Sequence, residues 1–311
     1  MMTLDVRHTT TYRYARPVTF GDHRLMFRPR DSHDLRLIET GLVITPAPAK
    51  VRWLHDVFGN SIAVASFDQP AAELRFESHI RVEHYPLDAP EFPIEDYART
   101  YPFSYTAEEV PDLARTTQRH YPDPDHRVDD WAKRFVLIGE NGPPDTQDML
   151  VAMTRSIKES FTYQARDDEG TQNPVETLEK GTGSCRDFAL LMMEAARSLG
   201  FAARFVSGYL YDPARDGVEG GGVTGGCVMG GGATHAWVEI YLPGAGWVEF
   251  DPTNGIIGNK SLIRVAVARD PSQAIPLSGS WTGAPADYLG MTVDVQVTSA
   301  SQAADSRSVG L

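Results

Sequence analysis

"GTGSCRDFALLMMEAARSLGFAARFVSGYLYD" (181–212) reads as a tight turn, a helix and a strand in immediate succession. Phe188, Leu191, Met192, Ala195 and Leu199 share a stripe at helical spacing. Gly200 supplies a C-terminal stop, and "ARFVSGYLY" (203–211) has the composition of a strand. Cys185 stands where the glycine-rich turn enters the helix. Ser184 is positioned to cap that helix, which puts Cys185 in the first turn. Amides without intrahelical partners and the positive end of the helix dipole lie there. Such a setting stabilises negative charge on a sulfur and offers donors to an oxyanion formed beside it. A small buried residue at a helix start has the same local pattern, so the thiol needs corroboration from elsewhere in the chain.

A thiol nucleophile requires a base, and the base an orienting group. "ATHAWVEIYLPGAGWVEFDPTNG" (233–255) offers both. His235 opens a strand, "PGAG" (243–246) reverses the chain, and Asp251 closes the returning strand. A short hairpin brings the far ends of two paired strands together, so His235 and Asp251 are expected neighbours. The result is a Cys185–His235–Asp251 triad, with the cysteine delivered by a helix packed on the sheet.

In order and wording, these blocks and the "FTYQ" strand (161–164) resemble the core of the transglutaminase-like superfamily, a papain-like cysteine fold, over about 145–265. The N-terminal "TYRYARPVTFGDHRLMFRPR" (11–30) resembles the β domain that precedes this core in bacterial members. The resemblance implies Cys185 as nucleophile, His235 as general base and later acid, and Asp251 as the group that fixes the imidazole. It implies a cysteine protease or amidase working through an acyl-enzyme. Transfer to an amine is the alternative, and a catalytically silent binding module on the same fold is the third reading. A peptide, an isopeptide or a glutamine side chain would each fit this chemistry as substrate. The Cys185 amide is one oxyanion donor. Tyr163, on the strand that lies near the thiol in this family, is either a second donor or an ordinary core tyrosine. Trp237 follows the histidine on the same strand face and either shields the imidazole from water or packs in the core.

Some neighbours have plainer readings. Asp187 is expected to cap the helix or pair with Arg186, and Arg204 to make an ion pair or meet a substrate carboxylate. Arg186 departs from the amide or aromatic residue common in bacterial relatives and would add a cation beside the sulfur. The glycine-dense stretch 216–234 is either a tolerated surface loop or a lid, and Cys227 within it is a bystander.

The fold expected is α+β. "LDVRHTTTYRY" (4–14) alternates with a period of two, and further strands follow at "HRLMFRP", "IETGLVITP", "VRWLHDVFGNSIAVASF" and "AELRFESHIRVEHY", with "FGN" (58–60) as a hairpin turn. An N-terminal antiparallel sandwich is thus placed at 1–85 and a proline-rich linker at 86–110. A core of helices packed on an antiparallel sheet follows at 111–298, then a tail at 299–311 expected to be disordered. Helices are read at 110–121, 128–139 and 145–161, with Asp145 capping the last, and later strands at 261–269 and 289–298.

Composition narrows the partners. The 42 acidic against 29 basic side chains give a formal charge of −13, which disfavours nucleic acid and acidic membrane surfaces. No signal peptide or 18-residue apolar run is read, and two cysteines make no disulfide framework, so a reducing, cytoplasmic setting is expected. A Cys185–Cys227 disulfide, the alternative, would consume the thiol. No cofactor is called for, and no CxxC, HExxH or EF-hand spacing points to a metal. Oligomeric state is left open.

Overall fold

The computed structural model describes residues 1–86, 92–136, 142–166, 170–215 and 232–299. The glycine-rich stretch up to residue 231, with Cys227, and the tail from residue 300 lie outside the described residues.

The alternation read at the N-terminus becomes one long strand, β1 (Met2–Phe20), with Leu4, Val6, His8, Thr10 and Tyr14 buried on one face. β2 (His23–Leu25), β3 (Leu35–Thr45), β4 (Lys50–His55), β5 (Ser61–Ser66) and β6 (Ala71–His84) follow, all in antiparallel pairs. β4 and β5 form the hairpin expected around Phe58–Asn60. The small sheet packs on the large one through Tyr14, Val18, Phe20, Leu25, Ala63 and Phe76.

Next come α1 (Glu109–Thr117), α2 (Arg127–Val136), α3 (Thr146–Ser160), β7 (Thr162–Tyr163), α4 (Pro174–Lys180), β8 (Thr182–Gly183) and α5 (Cys185–Ser198). The core sheet is built from β9 (Ala203–Leu210), β10 (His235–Leu242), β11 (Gly246–Asp251), β12 (Ile256–Ile257) and β13 (Leu262–Ala268), ordered β12-β11-β10-β9-β13. α3 begins as expected, with Asp145 accepting from the Asp148 amide. The residues before α1 pack on the core: Tyr101 donates to the Leu199 carbonyl, and Tyr105 to that of Tyr241.

The end of the chain needs a correction. The strand read at 289–298 was assigned to the core by its position. β14 (Leu277–Ser278), β15 (Trp281–Thr282) and β16 (Tyr288–Ser299) pair instead with the N-terminal strands, β14 with β2 and the other two with β1. Alternation marks a strand without saying which edge it joins, and the free side of β1 accepts β16 from Leu4 to Tyr14. The two regions are also bonded face to face. Leu4, Val6, Ile80 and Val82 pack on Tyr209, Tyr211, Ile263 and Val265, and Arg264 links Asp34 to Glu239 and Glu249.

α5 is buried on every side, between the core sheet and the helices before it. Glu194 and Arg197, off the apolar stripe, are both enclosed and pair at 2.9 Å. Glu194 also accepts from the His120 and Tyr121 amides, so the buried charges are hydrogen-bonded as well as paired.

His8 sits on the seam between β1 and the core, 2.9 Å from the Tyr209 hydroxyl and 3.1 Å from that of Thr10. Burial pushes its pKa from 6.5 down to about 4. Between those values the unfolded chain binds a proton that the fold refuses, so stability falls with acidification by at most ~1.4 kcal/mol per pH unit from this group. The urea midpoint is expected to drop between pH 7 and pH 5, with a shallower slope in His8→Gln. An unchanged slope in that variant would refute the assignment.

Candidate active site

Local chemistry builds the entrance to α5. α4 ends at Gly181, whose φ of 61° is left-handed, a conformation that favours glycine. Thr182 and Gly183 then pair in parallel with Thr162 and Tyr163. A Cβ at Gly183 would lie 2.9 Å from that of Asp187, so this turn leaves no room for a larger residue. Ser184 takes the cap position, and both its hydroxyl and its amide donate to Asp187 Oδ2 in the first helical turn.

Asp187 is the hub of this turn. Fully buried, it accepts from the Ser184 amide (2.8 Å), the Gln172 amide (2.7 Å) and Arg166 (2.9 Å). Burial alone would raise its pKa, but these donors hold it below the usual carboxylate value. Its ion-pair partner is therefore Arg166, not Arg186 as the sequence reading allowed. The Arg186 side chain turns away, donating to the Pro271 carbonyl at 2.8 Å and lying over the Phe205 ring.

Cys185 thus occupies the first helical position, 6% exposed. On the core sheet, β10 and β11 pair from Val238–Phe250 to Leu242–Gly246, the hairpin anticipated from "PGAG". His235 and Asp251 meet at its open end, with Nε2 2.8 Å from Oδ2. The other Asp251 oxygen accepts from the Thr253 and Asn254 amides, and the Asn254 carboxamide donates to Oδ2 at 2.9 Å. Burial opposes charge on both partners. For His235 the Asp251 carboxylate outweighs it, with Cys185 adding to the effect, and raises the pKa to about 10. Asp251 is lowered, chiefly by the His235 charge. With Nε2 committed to Asp251, the nitrogen left for the sulfur is Nδ1, which is buried and has no nitrogen or oxygen partner among the described residues.

The structure thus gathers Cys185, His235 and Asp251. Trp237 stacks on the imidazole with ring centres 6.0 Å apart and is fully buried. Gly208, opposite His235 in the register, makes room for that indole: a Cβ there would lie 2.7 Å from Trp237 Cη2 and 2.1 Å from the Ile263 carbonyl oxygen. Tyr163 is half-buried; desolvation, with Cys185 and Asp187 nearby, pushes its hydroxyl up to about 12, leaving it a proton donor at neutral pH. Arg204 forms the expected ion pair, with Glu239, and lies 4.1 Å from the Trp247 ring centre. Sequence reasoning missed Asn254, Gln172 and Arg166. Only Asn254 left a signal, three residues after Asp251 in a turn. Among the described residues, no group of three or more His, Cys, Asp or Glu is placed to hold a metal.

Two family models match the chain: the bacterial transglutaminase-like N-terminal region over residues 4–83 and the transglutaminase-like superfamily over 134–252. Together they span more than half of it, and the second includes Cys185, His235 and Asp251. The chain belongs to the transglutaminase-like superfamily. Proteins similar along their whole length include uncharacterized protein ML0607 of Mycobacterium leprae, 28% identical over 95% of this chain and 99% of that protein. Uncharacterized protein Rv2569c of Mycobacterium tuberculosis is 28% identical over 93% and 91%. The same fold occurs in the crystal structure of a proposed cysteine protease from Cytophaga hutchinsonii, with a TM-score of 0.65, 17% identity, and coverage of 96% of this chain and 90% of that one. The family match supports a thiol-dependent enzyme of this superfamily on an α+β fold.

Proposed function

We propose that the protein is an acyl-transfer enzyme that attacks amide carbonyls through Cys185, most simply as a cysteine protease or amidase. The observation that carries this reading is the buried His235–Asp251 pair, whose remaining ring nitrogen is left for a cysteine at a helix N-terminus. Cys185 Sγ bonds to the carbonyl carbon and the oxygen takes the negative charge. In this reading the Cys185 amide and the Tyr163 hydroxyl donate to that charge. The imidazolium of His235 gives its proton to the departing amine as the C–N bond breaks, leaving a thioester. His235 then takes a proton from water, which attacks the thioester and releases the acid and the thiol. Asp251 keeps Nε2 protonated throughout and stabilises the charged ring.

Burial of Cys185 and His235 favours a second acceptor. A site that limits water lets an amine compete for the thioester, giving transamidation. Intact-mass analysis of acid-quenched mixtures with peptide esters and glutamine-containing peptides tests both. An acyl adduct on Cys185 that is absent in Cys185→Ala is expected. Its decay to acid or, with added amine, to amide distinguishes the acceptors. No adduct with any acyl donor would favour the binding-module reading.

A further inference from the structure

Where the N-terminal sandwich meets the core sheet, the buried charges do not balance. Across that sheet Arg204, Glu239 and Glu249 stand in one row on β9, β10 and β11. Arg264 on β13 reaches into the row, with Nη1 3.1 Å from Glu239 Oε1 and 2.9 Å from Glu249 Oε1. Its Nη2 lies 3.3 Å from Asp34 Oδ1 of the sandwich. Arg204 pairs with Glu239. Asp34 also accepts from Ser32 and Asn259, with His33 and His84 beside it. Burial holds the pKa of His84 below its ordinary value. Among the described residues, three carboxylates thus share two guanidiniums here. The Glu239 and Glu249 side chains are 0% and 4% exposed, so water screens neither.

Glu249 is the odd carboxylate. Glu239 spends both oxygens on arginines, and Asp34 spends both on donors. Glu249 Oε2 is buried with no hydrogen-bond partner among the described residues. A charged oxygen buried without a donor is costly, and a proton on the carboxyl removes the charge. With Glu249 neutral, two carboxylates face two guanidiniums. Burial, joined by the charges of Glu239 and Asp34, outweighs Arg264 and raises the Glu249 pKa to about 8.

The strands involved are those of the triad. Glu249 stands two residues before Asp251 on β11, and Glu239 four after His235 on β10. Phe58 of the sandwich packs on the cluster containing Trp237, which stacks on His235. We propose that Glu249 is a proton-held latch: the sandwich docks on the core with a neutral carboxyl at this position, and rising pH loosens it from the two strands that carry the triad's base and acid. Docked, Glu249 keeps its proton up to about pH 8; undocked and wetted, it loses it near the ordinary 4.5. Between those values each pH unit favours the open seam by up to ~10-fold, and above the higher one the effect levels off. Below about 6.5 the buried His8 and His84 act in the opposite sense, so the comparison belongs above that value.

The test uses the full chain carrying Cys185→Ala and Cys227→Ala, with Val265→Cys as a reporter, because Val265 packs against Leu4 and Val6 of the sandwich. Iodoacetamide labelling of that thiol follows opening of the seam. Dividing its rate by the rate in the same protein with Glu249→Gln cancels the thiol's own ionisation. Glutamine keeps the shape and neutrality of the protonated side chain. The ratio is expected to rise ~10-fold from pH 6.5 to pH 8, and by no more than ~2-fold from pH 8 to pH 9. A ratio that stays flat from pH 6.5 to pH 8 overturns the proposal. So does labelling that matches the global unfolding constant from urea denaturation in both proteins, because the seam would then open only with the whole fold. Neither failure touches the acyl-transfer reading, whose thiol is absent from the reporter protein.

Discussion

Replacing His235 with alanine is expected to slow iodoacetamide alkylation of Cys185 at pH 7 by at least ~10-fold, and to reduce turnover of any acyl substrate by roughly 10³-fold or more. The cause is electrostatic as well as chemical. Asp251 holds a proton on His235 throughout the neutral range, so the sulfur faces a cation in a site almost closed to water. Alanine removes that cation and the proton donor for the leaving amine in one step. It also leaves the Asp251 carboxylate buried with, among the described residues, only Thr253 and Asn254 as donors, so some stability is lost as well. Asp251→Asn separates the effects, because it keeps the shape and removes the charge. Turnover is expected to fall there too, by a comparable factor, with a smaller change in melting temperature. The pair's own contribution to stability has a definite pH window. A base with a raised folded pKa contributes fully below about 6.5, and the contribution is lost as pH rises through about 10. Peptide mapping against Cys227 provides the internal reference. Equal alkylation rates at Cys185 with and without His235 would remove the imidazole from the sulfur's environment.

Asp187→Ala is expected to be the most destabilising substitution in the site, by about 3–5 kcal/mol, although the residue touches no reacting atom. It strips acceptors from the Ser184 and Gln172 amides and removes the carboxylate that pairs with the Arg166 guanidinium. Those groups fix the turn that aims Cys185, so alkylation is expected to slow together with the fall in melting temperature. His235→Ala should cost more reactivity than stability, and Asp187→Ala more stability. Because the folded pKa of Asp187 is depressed, its contribution is present above the ordinary carboxylate value and lost as pH falls through the folded one. Acidification should therefore narrow the gap between parent and variant. A melting temperature unchanged at neutral pH would refute the hub assignment.

Much of this site could be read before any coordinate, for identifiable reasons. The β10–β11 hairpin has a short turn between two apolar strands, so its register follows locally and brings His235 to Asp251. The approach to α5 is also local: glycines, a cap and a first turn. α4 escaped notice because seven residues carry too little periodicity, and its only marks were Asn173 at the cap and Pro174 at the first position. The Arg166–Asp187 pair spans 21 residues, and no short-range pattern forecasts it. The burial of Glu194 and Arg197 left no local mark, because the helices that cover that face of α5 come from elsewhere in the chain. The placement of β16 depended on a free strand edge formed almost the whole chain earlier.

That last arrangement orders events in time. The long N-terminal strand is made first, yet the strand that completes its free edge is made only after the nucleophile, base and acid have all been synthesised. The nascent chain must hold an unzipped edge open while the middle of the sequence condenses, a pairing of very high sequence separation and hence slow. A ribosome that stalls between Asp251 and Tyr288 would therefore release a chain with its chemistry encoded and its outer sheet unclosed.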